Sequence, residues 1–216
     1  MILDHTFVAH DRRHAGMQLA DKLSEFKNSN AIVVAVSQSG AVIGYYIAQQ
    51  LGLPFEVCLC KAIEHPANRR QTLGSISADA VLMHSDSYGI PRDYIHHQII
   101  LNQSILKSQR QFYRVDRMLD VRERKVILVG ETFLTMDSLA ASLHEIRRQR
   151  PEKVVVAAAA CTPEVASELA RCTNDVTFLV VEHNIKTEKL YHQYSTIDDK
   201  AVKYLLRMAA VKINYN

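Results

Sequence analysis

The sequence predicts an α/β fold built on a doubly wound, parallel, five-stranded sheet. Five short apolar runs alternate with helix-like patterns, and they span residues 31–36, 55–60, 126–129, 154–160 and 176–181. Runs that are apolar throughout are typical of strands buried on both faces of a parallel sheet. The strand, helix and strand within residues 31–60 form a βαβ unit, which implies parallel pairing and a right-handed crossover.

Length and composition favour a single domain over residues 1–216. A chain of this size, 48% hydrophobic, can bury a sizeable core. Its net charge of +3 neither indicates nor excludes nucleic acid as a partner. No stretch approaches the ~20 apolar residues of a membrane span, and the first residues lack a signal-peptide pattern. We therefore expect a cytoplasmic protein without a membrane span.

The first part of the chain alternates regularly. Asp11 is placed to cap a helix with a 3.6-residue apolar period. Residues 31–36 form the first strand, residues 37–40 (SQSG) a polar turn, and residues 42–51 a helix that Gly52 closes.

Residues 61–122 interrupt this alternation, and we predict that they form a hood, an insertion over the edge of the sheet. Residues 61–70 are polar and irregular, while residues 73–76 and 80–83 can pair as short strands. A long helix is predicted over residues 92–113.

The alternation then resumes. A strand at 126–129 runs into a polar turn and a helix at 135–148, and further helices are predicted at 163–172 and near 198–208. In open α/β sheets, ligands lie beyond the carboxyl ends of the strands, and the free N–H groups of a helix start favour an anion. These patterns predict a ligand site at residues 130–138.

The cysteines and histidines do not suggest a metal. Cys58 and Cys60 lie in an apolar run, where free cysteine behaves as a small buried hydrophobe, so we expect structural thiols. His10 and His14 are four residues apart and have no third ligand in the pattern, so no metal site is predicted.

Four blocks of the chain carry a resemblance to a known family. They are residues 11–23 (DRRHAGMQLADKL), 33–52 (VVAVSQSGAVIGYYIAQQLG), 60–76 (CKAIEHPANRRQTLGSI) and 191–202 (YHQYSTIDDKAV). In this order they resemble the type I phosphoribosyltransferases, in particular the branch described as predicted phosphoribosyltransferases. The resemblance covers nearly the whole chain.

This resemblance implies a hooded sheet that binds phosphoribosyl pyrophosphate (PRPP) with magnesium and passes ribose 5-phosphate to a base or another nucleophile. In the family loop VILVDDGxATGxT, two adjacent acids meet the ribose hydroxyls, and the glycine-rich turn offers N–H groups to the 5′-phosphate. The ligand-binding positions that the resemblance implies are Gln38, Ser39, Gly40, Lys61, Glu131, Thr132, Phe133, Leu134, Thr135, Met136, Asp137 and Ser138.

The chain departs from the family at several of these positions. Gly130 replaces the first acid, and Thr132 and Met136 replace glycines. Asp137 adds a negative charge beside the phosphate position, where repulsion at ~4 Å costs about 1 kcal/mol even in water. The arginine of the family's PRGG turn is Gln38, which cannot form a bidentate pair with phosphate. Together these changes predict weak PRPP binding or none.

Some of the remaining positions allow two interpretations. Glu131 is either a retained ribose contact or a carboxylate that compensates a helix dipole. Thr135 and Ser138 either bind phosphate or cap the helix, and capping is the favoured interpretation. Lys61 either faces the cleft or is a solvated loop residue.

Two basic clusters are candidate anion or nucleic-acid patches. Their members are Arg110, Arg114, Arg117, Arg122, Arg124 and Lys125 in the first, and Arg147, Arg148, Arg150 and Lys153 in the second. Because Asp116, Asp120 and Glu123 lie among them, a solvated face of mixed charge is the favoured interpretation, and nucleic acid is not an expected partner.

The favoured function is a phosphoribosyltransferase-family protein with an eroded PRPP motif and weak or no transferase activity, which binds a small phosphorylated ligand or a partner. One alternative is an active phosphoribosyltransferase, which would need magnesium with PRPP; without PRPP no cofactor is expected. A second alternative is a nucleic-acid-binding regulator on the same fold. A homodimer is compatible with all three hypotheses.

Overall fold

A computed structural model describes residues 8–77, 81–83, 89–113, 121–173 and 175–213. In chain order the main elements are α1 (Arg12–Lys22), β1 (Ile32–Ala35), α2 (Gln38–Leu51), β2 (Phe55–Val57), β3 (Cys60–His65), β4 (Asn68–Ser77), β5 (Val81–Met83), α3 (Arg92–Tyr113), β6 (Lys125–Phe133), α4 (Asp137–Arg148), β7 (Lys153–Cys161), α5 (Pro163–Cys172), β8 (Asp175–Val181) and α6 (Asp199–Ile213). Short 3-10 helices lie at Ser24–Phe26 and Thr187–Leu190.

The main sheet has five strands in the order β2-β1-β6-β7-β8, and every neighbouring pair is parallel. The predicted doubly wound parallel sheet is therefore confirmed. The chain moves outward from β1 to β2 and then returns to pair β6 with the other side of β1. This change of direction makes the β1–β6 boundary the topological switch point, where α/β sheets of this kind hold their ligands.

Both faces of the sheet are covered, which explains why its strands are apolar throughout. On one face, Val33 and Ile127 pack in a cluster with residues of α1, α2 and α6. On the other, Val34 and Leu128 pack with residues of α4 and α5. Successive side chains of a strand point to opposite faces, so each strand contributes to both clusters.

The hood is a second sheet, antiparallel, in the order β3-β4-β5, with α3 packed against it. Its own apolar cluster contains Ile63, Leu73, Ile76 and Leu106. The hood elements run from Cys60 to Tyr113, inside the predicted insertion apart from Cys60 itself.

Two predictions in this region are wrong. Residues 61–70 are not irregular, because they form most of β3 and the start of β4, and residues 55–60 are not one strand. That run ends at Val57, and Cys60 already belongs to the hood sheet. The polar character of 61–70 misled the prediction: the hairpin has exposed positions and register shifts around Glu64, which break a simple period of two.

Other boundaries agree with or extend the predictions. The helix predicted at 92–113 and the helix predicted at 163–172 have those bounds. The last helix continues to Ile213. Of the described helices, none is long and apolar enough to cross a membrane.

Several of the described basic residues in the two clusters have local partners. Arg124 donates to the carbonyl oxygens of Asn30 and Ala31. Three further ion pairs join Lys125 to Glu152, Lys153 to Asp175 and Arg148 to Glu145. The predicted cluster members Arg114, Asp116, Arg117 and Asp120 lie outside the described residues.

Glu56 lies on β2, an edge strand of the main sheet. Its Oε2 atom is buried and finds no hydrogen-bond partner among the described residues. Burial raises the pKa of the Glu56 carboxyl to about 7, although a backbone hydrogen bond at Val57 acts in the opposite direction.

This carboxyl makes stability pH-dependent in a defined direction. Its folded-state pKa is higher than its unfolded-state pKa, so the unfolded chain loses the Glu56 proton first as the pH rises. Stability is therefore lost between about pH 4.5 and about pH 7. We predict that Glu56→Gln increases the unfolding free energy by about 2 kcal/mol at about pH 8 and changes it little at about pH 4.

Urea unfolding at both pH values measures this effect, and Glu64→Gln is the matched control, because Glu64 is exposed on β3. An equal change from Glu56→Gln at the two pH values would contradict the prediction.

Candidate functional site

The switch point brings together the two segments that the sequence places at the ligand. The amide of Val36 donates to the Val129 carbonyl at 2.9 Å. A Cβ atom on Gly40 would lie 2.9 Å from that same carbonyl oxygen and 3.1 Å from the Gly130 Cα. Only glycine allows the start of α2 to approach the end of β6 this closely.

The turn after β1 is shorter than predicted. Ser37 is the N-cap of α2, and its hydroxyl accepts a hydrogen bond from the Gly40 amide at 3.0 Å. As a consequence Gln38, Ser39 and Gly40 lie in the first turn of a helix rather than in a loop. The capping bond uses one of the amides that an anion would need at this helix start.

The strand β6 is longer than predicted. It continues past Val129 and pairs in register with β7 through Thr132 opposite Ala160 and Phe133 opposite Cys161. Glu131, Thr132 and Phe133 therefore belong to the sheet, and the predicted turn at these residues is wrong. The loop that remains between β6 and α4 contains only residues 134–136.

Phe133 fills the space at the position of the family's first ribose acid. Its side chain is only 1% exposed. A Cβ atom added to Gly130 would overlap the Phe133 ring. The glycine at 130 is thus required by packing, since a carboxylate side chain has no room there while Phe133 keeps this position.

Glu131, the remaining acid, is buried in an ion pair. Its Oε1 atom lies 2.6 Å from Nε of Arg12, the first residue of α1. The two side chains are only 6% and 5% exposed, respectively. Neither a ribose contact nor compensation of a helix dipole describes this arrangement of Glu131. Its charged partner is the Arg12 side chain, which comes from a distant part of the sequence.

Arg12 makes further contacts that hold it in place. Its Nη1 atom donates to the Ser195 carbonyl at 2.7 Å. The guanidinium carbon lies 4.6 Å from the Tyr194 ring centroid and 5.3 Å from that of Tyr191, and the two rings stack on each other. We call Arg12, Glu131, Tyr191, Tyr194 and the Ser195 carbonyl the Arg12 cluster. These contacts compensate part of the cost of burying the guanidinium, although the facing Arg12 Nε and Glu131 Oε1 atoms are close without meeting hydrogen-bond geometry.

Tyr191 completes the cluster. Burial raises the pKa of its phenol, and the negative charge of Glu131 raises that pKa further, while Arg12 acts in the opposite direction. The neutral phenol is therefore the stable form beside the carboxylate.

A second internal contact engages Gln38, at the position of the family's pyrophosphate arginine. Its Nε2 atom donates to Oδ1 of Asp199 at 2.6 Å. The same oxygen accepts hydrogen bonds from the hydroxyl of Tyr113 and, at 3.4 Å, from Nε2 of Gln109. Burial and the bond to Asp199 raise the pKa of Tyr113. The start of α6 and the end of α3 therefore cover the turn after β1.

The other predicted ligand residues are less constrained. Leu134 is 49% exposed, and Thr135 is exposed as well. Thr132 places its hydroxyl 3.3 Å from that of Thr187. Lys61 lies on β3 of the hood, opposite Ile76, so of its two interpretations the one as a loop residue is wrong.

The start of α4 differs from the prediction. Met136, rather than Thr135, holds the N-cap position, and its side chain packs against the cluster on the α4 and α5 face. Asp137 and Ser138 lie in the first turn, and their side chains are outside the described part of the structure.

The residues of this edge do not fit a magnesium ion. Magnesium prefers carboxylate oxygens with room for water, whereas the Glu131 carboxylate is buried against a guanidinium. The described residues contain no group of three or more His, Cys, Asp or Glu side chains that could hold a metal ion.

Known proteins with similar sequences or structures were found for this chain. No protein-family model matches the chain. Two Mycobacterium tuberculosis proteins, from strains CDC 1551 and H37Rv and each named "Putative phosphoribosyl transferase", are 22% identical to it over 204 residues. The alignments cover 91% of this chain and 46% of each relative, so the chain spans about half the length of the curated relatives it matches.

One solved structure is similar to this chain over nearly the whole length of both proteins. The crystal structure of TT1426 from Thermus thermophilus is 25% identical, with a TM-score of 0.80, and the match covers 93% of this chain and 98% of that one. The chain is thus similar in sequence to two proteins named as phosphoribosyl transferases and similar in fold to TT1426. The resemblance to the type I phosphoribosyltransferases is confirmed at the level of family likeness and fold.

The prediction missed the residues that close the site. Arg12, Tyr191, Tyr194 and Asp199 were given no role, although all four lie in blocks that carry the family resemblance. The available signal was that blocks resembling the family occur at both ends of the chain, far in sequence from the ligand loops. Such blocks indicate that the two ends contribute to the same site.

The Arg12 cluster supports a stability prediction. Arg12→Met should lower the unfolding free energy by about 3–5 kcal/mol, because it leaves the Glu131 carboxylate buried without a partner. The double variant Arg12→Met/Glu131→Gln should recover most of that loss. Arg13→Met, which changes an exposed neighbour, is the control and should cost less than about 1 kcal/mol. Urea unfolding at neutral pH measures all three, and a single Arg12 variant no worse than the control would refute the buried pair.

The packing of Phe133 on Gly130 supports a second stability prediction. Gly130→Ala should cost about 1–3 kcal/mol, the usual range for overpacking a core. In a Phe133→Leu background the same change should cost clearly less, because the smaller side chain vacates the space of the ring. A double-mutant cycle by urea unfolding measures this coupling, and equal costs in the two backgrounds would count against it.

Proposed function

We propose that this protein is a phosphoribosyltransferase-like protein with weak or no transferase activity, which binds a small phosphorylated ligand or a protein partner at its altered ligand edge. The observation that carries the proposal is the buried ion pair between Arg12 and Glu131. It occupies the acid that would otherwise contact the ribose of PRPP.

The energy of this pair is a substantial fraction of a typical binding free energy, which is about 8 kcal/mol for a micromolar ligand. Separating two buried charged partners costs ~3–5 kcal/mol, and a tenfold change in affinity corresponds to about 1.4 kcal/mol. A ligand that must displace Arg12 from Glu131 therefore loses about two to three orders of magnitude in affinity. A micromolar ligand would become roughly millimolar.

The pyrophosphate side of the site supports the same proposal. The Gln38 amide already donates to Asp199, so a bound pyrophosphate would compete with a carboxylate for that donor. It would also be repelled by the Asp199 charge, by about 1 kcal/mol or more at ~4 Å. In the family pattern this position is an arginine, which attracts the ligand.

The 5′-phosphate side supports it as well. The family's glycine-rich turn aligns with residues 135–138, after β6 ends at Phe133. There Met136 takes a glycine position, and its side chain packs against the cluster on the α4 and α5 face. The accessible part of the loop is reduced to Leu134 and Thr135. We place the contact with the ligand or partner there.

An active transferase is the second candidate function, and the names of the two Mycobacterium tuberculosis relatives favour it. It requires that the Arg12 cluster opens when PRPP and magnesium bind. A cytoplasmic location, a homodimer and the absence of nucleic-acid binding stay predictions.

Titration calorimetry with PRPP and magnesium separates the two candidates. We expect a dissociation constant of about 1 mM or weaker, because PRPP must displace Arg12 from Glu131 and cannot use Gln38 as it would an arginine. Magnesium alone and pyrophosphate with magnesium are the ligand controls. Sub-millimolar PRPP binding, together with release of pyrophosphate in the presence of candidate bases, would establish the transferase instead.

A further inference from the structure

The segment that joins the main sheet to the hood contains two cysteines. Cys58 follows the last residue of β2, and Cys60 is the first residue of β3. Leu59, between them, packs against both the main core cluster and the hood cluster. Any bond between the two cysteines would therefore act at the junction of the two sheets.

The two thiols are close together. In an extended segment, residues two positions apart point to the same side, and here the Sγ atoms of Cys58 and Cys60 are 3.6 Å apart. A disulfide needs about 2.0 Å, so the two sulfur atoms must approach each other by about 1.6 Å to form one. Cys60 keeps partial exposure, while Cys58 is only 2% exposed.

The surroundings distinguish the two sulfur atoms. The hydrogen bond with Cys58 lowers the pKa of the Cys60 thiol, and the Ser142 hydroxyl, which donates to Cys60 Sγ at 3.2 Å, lowers it further. Burial and the nearby Glu145 carboxylate act in the opposite direction. The same hydrogen bond raises the pKa of Cys58, helped by burial. A thiolate at Cys60 that is supported by a neighbouring thiol resembles the nucleophile of reactive dithiol pairs.

The Glu145 carboxylate has polar partners of its own. It is buried, accepts a hydrogen bond from the Ser77 hydroxyl at 3.2 Å and pairs with Arg148 at 3.2 Å. Its charge is thus partly compensated, so the hydroxyl and thiol donors dominate at Cys60.

We propose that Cys58 and Cys60 form a reversible dithiol–disulfide pair that hydroperoxides oxidise, and that the bond fixes the junction between the main sheet and the hood. This replaces the expectation that the two are only structural thiols, and it is independent of the function proposed for the ligand edge.

The chemistry balances with hydrogen peroxide as the oxidant. The Cys60 thiolate attacks one peroxide oxygen and becomes a sulfenic acid, while the O–O bond breaks and the other oxygen leaves as hydroxide, which is protonated to water. The Cys58 sulfur then attacks the Cys60 sulfur, the S–O bond breaks, and a second water leaves. In sum the two thiols lose two protons and two electrons, and one peroxide accepts them and becomes two waters. A small-molecule dithiol reverses the step.

Peptide mapping tests the proposal on the full chain. Trypsin leaves both thiols in one peptide, residues 28–61, apart from the peptides that carry Cys161 and Cys172. After treatment of the folded protein with hydrogen peroxide and alkylation under denaturing conditions, we expect this peptide to be two hydrogens lighter and unalkylated. Dithiothreitol should restore alkylation at both cysteines.

Three variants sharpen the test. Cys60→Ser should abolish the bond, and Cys172→Ser, at an exposed cysteine, should leave it unchanged. Ser142→Ala keeps all four thiols and should slow bond formation several-fold, so the test does not depend on whether Cys60→Ser folds. Circular dichroism before and after oxidation verifies the fold.

Several outcomes would overturn the proposal. They are full alkylation of both cysteines after oxidation of the folded chain, sulfinic acid at Cys60 without a bond, and a bond from either cysteine to Cys161 or Cys172 instead. An oxidation rate of Ser142→Ala equal to that of the unchanged chain would refute the role given to its hydroxyl.

Discussion

The buried contact between Arg12 and Glu131 connects three distant parts of the chain at the carboxyl edge of the sheet. Arg12 begins α1, Glu131 lies near the end of β6, and Arg12 also binds the Ser195 carbonyl. Backbone bonds beside it join Ala9 to Leu190. A buried carboxylate without its partner would cost several kcal/mol, so the closed arrangement of this edge depends on the pair.

Three of the ligand positions of the family pattern are engaged by other residues of the protein. Arg12 neutralises Glu131, the Phe133 ring covers Gly130, and Asp199 holds Gln38. None of these contacts weakens the core, because the core consists of the apolar strands and the helices on both faces. The contacts at the ligand edge and the apolar core are therefore separate parts of the structure, as expected when function resides in a site carried by a scaffold. The chain enters the hood through the segment that contains Cys58 and Cys60, and the hood also packs against α4 and α6.

Most of the fold was predictable because its signals are local. The apolar runs of the five parallel strands and the period of α3 can be seen within a few residues of sequence, and the resemblance placed the ligand loops at the switch point. The hairpin over residues 61–70 was not predictable by the same means, since its strands are polar on their exposed sides and irregular at Glu64. The end of β6 was also missed, because Gly130 and Glu131 end the apolar run in the sequence, whereas Thr132 and Phe133 still pair with β7 in space.

The sequence by itself determined the α/β class, the position of the hood between the second and third strands of the main sheet, and the loss of the family's acid, glycine and arginine positions. Only the tertiary structure decided what replaced them. Gln38 and Asp199 are 161 positions apart, and Arg12 and Ser195 are 183 apart. Hydrophobic periodicity acts over one or two turns of a helix, whereas these contacts exist only because the folded sheet places both ends of the chain beside the same edge.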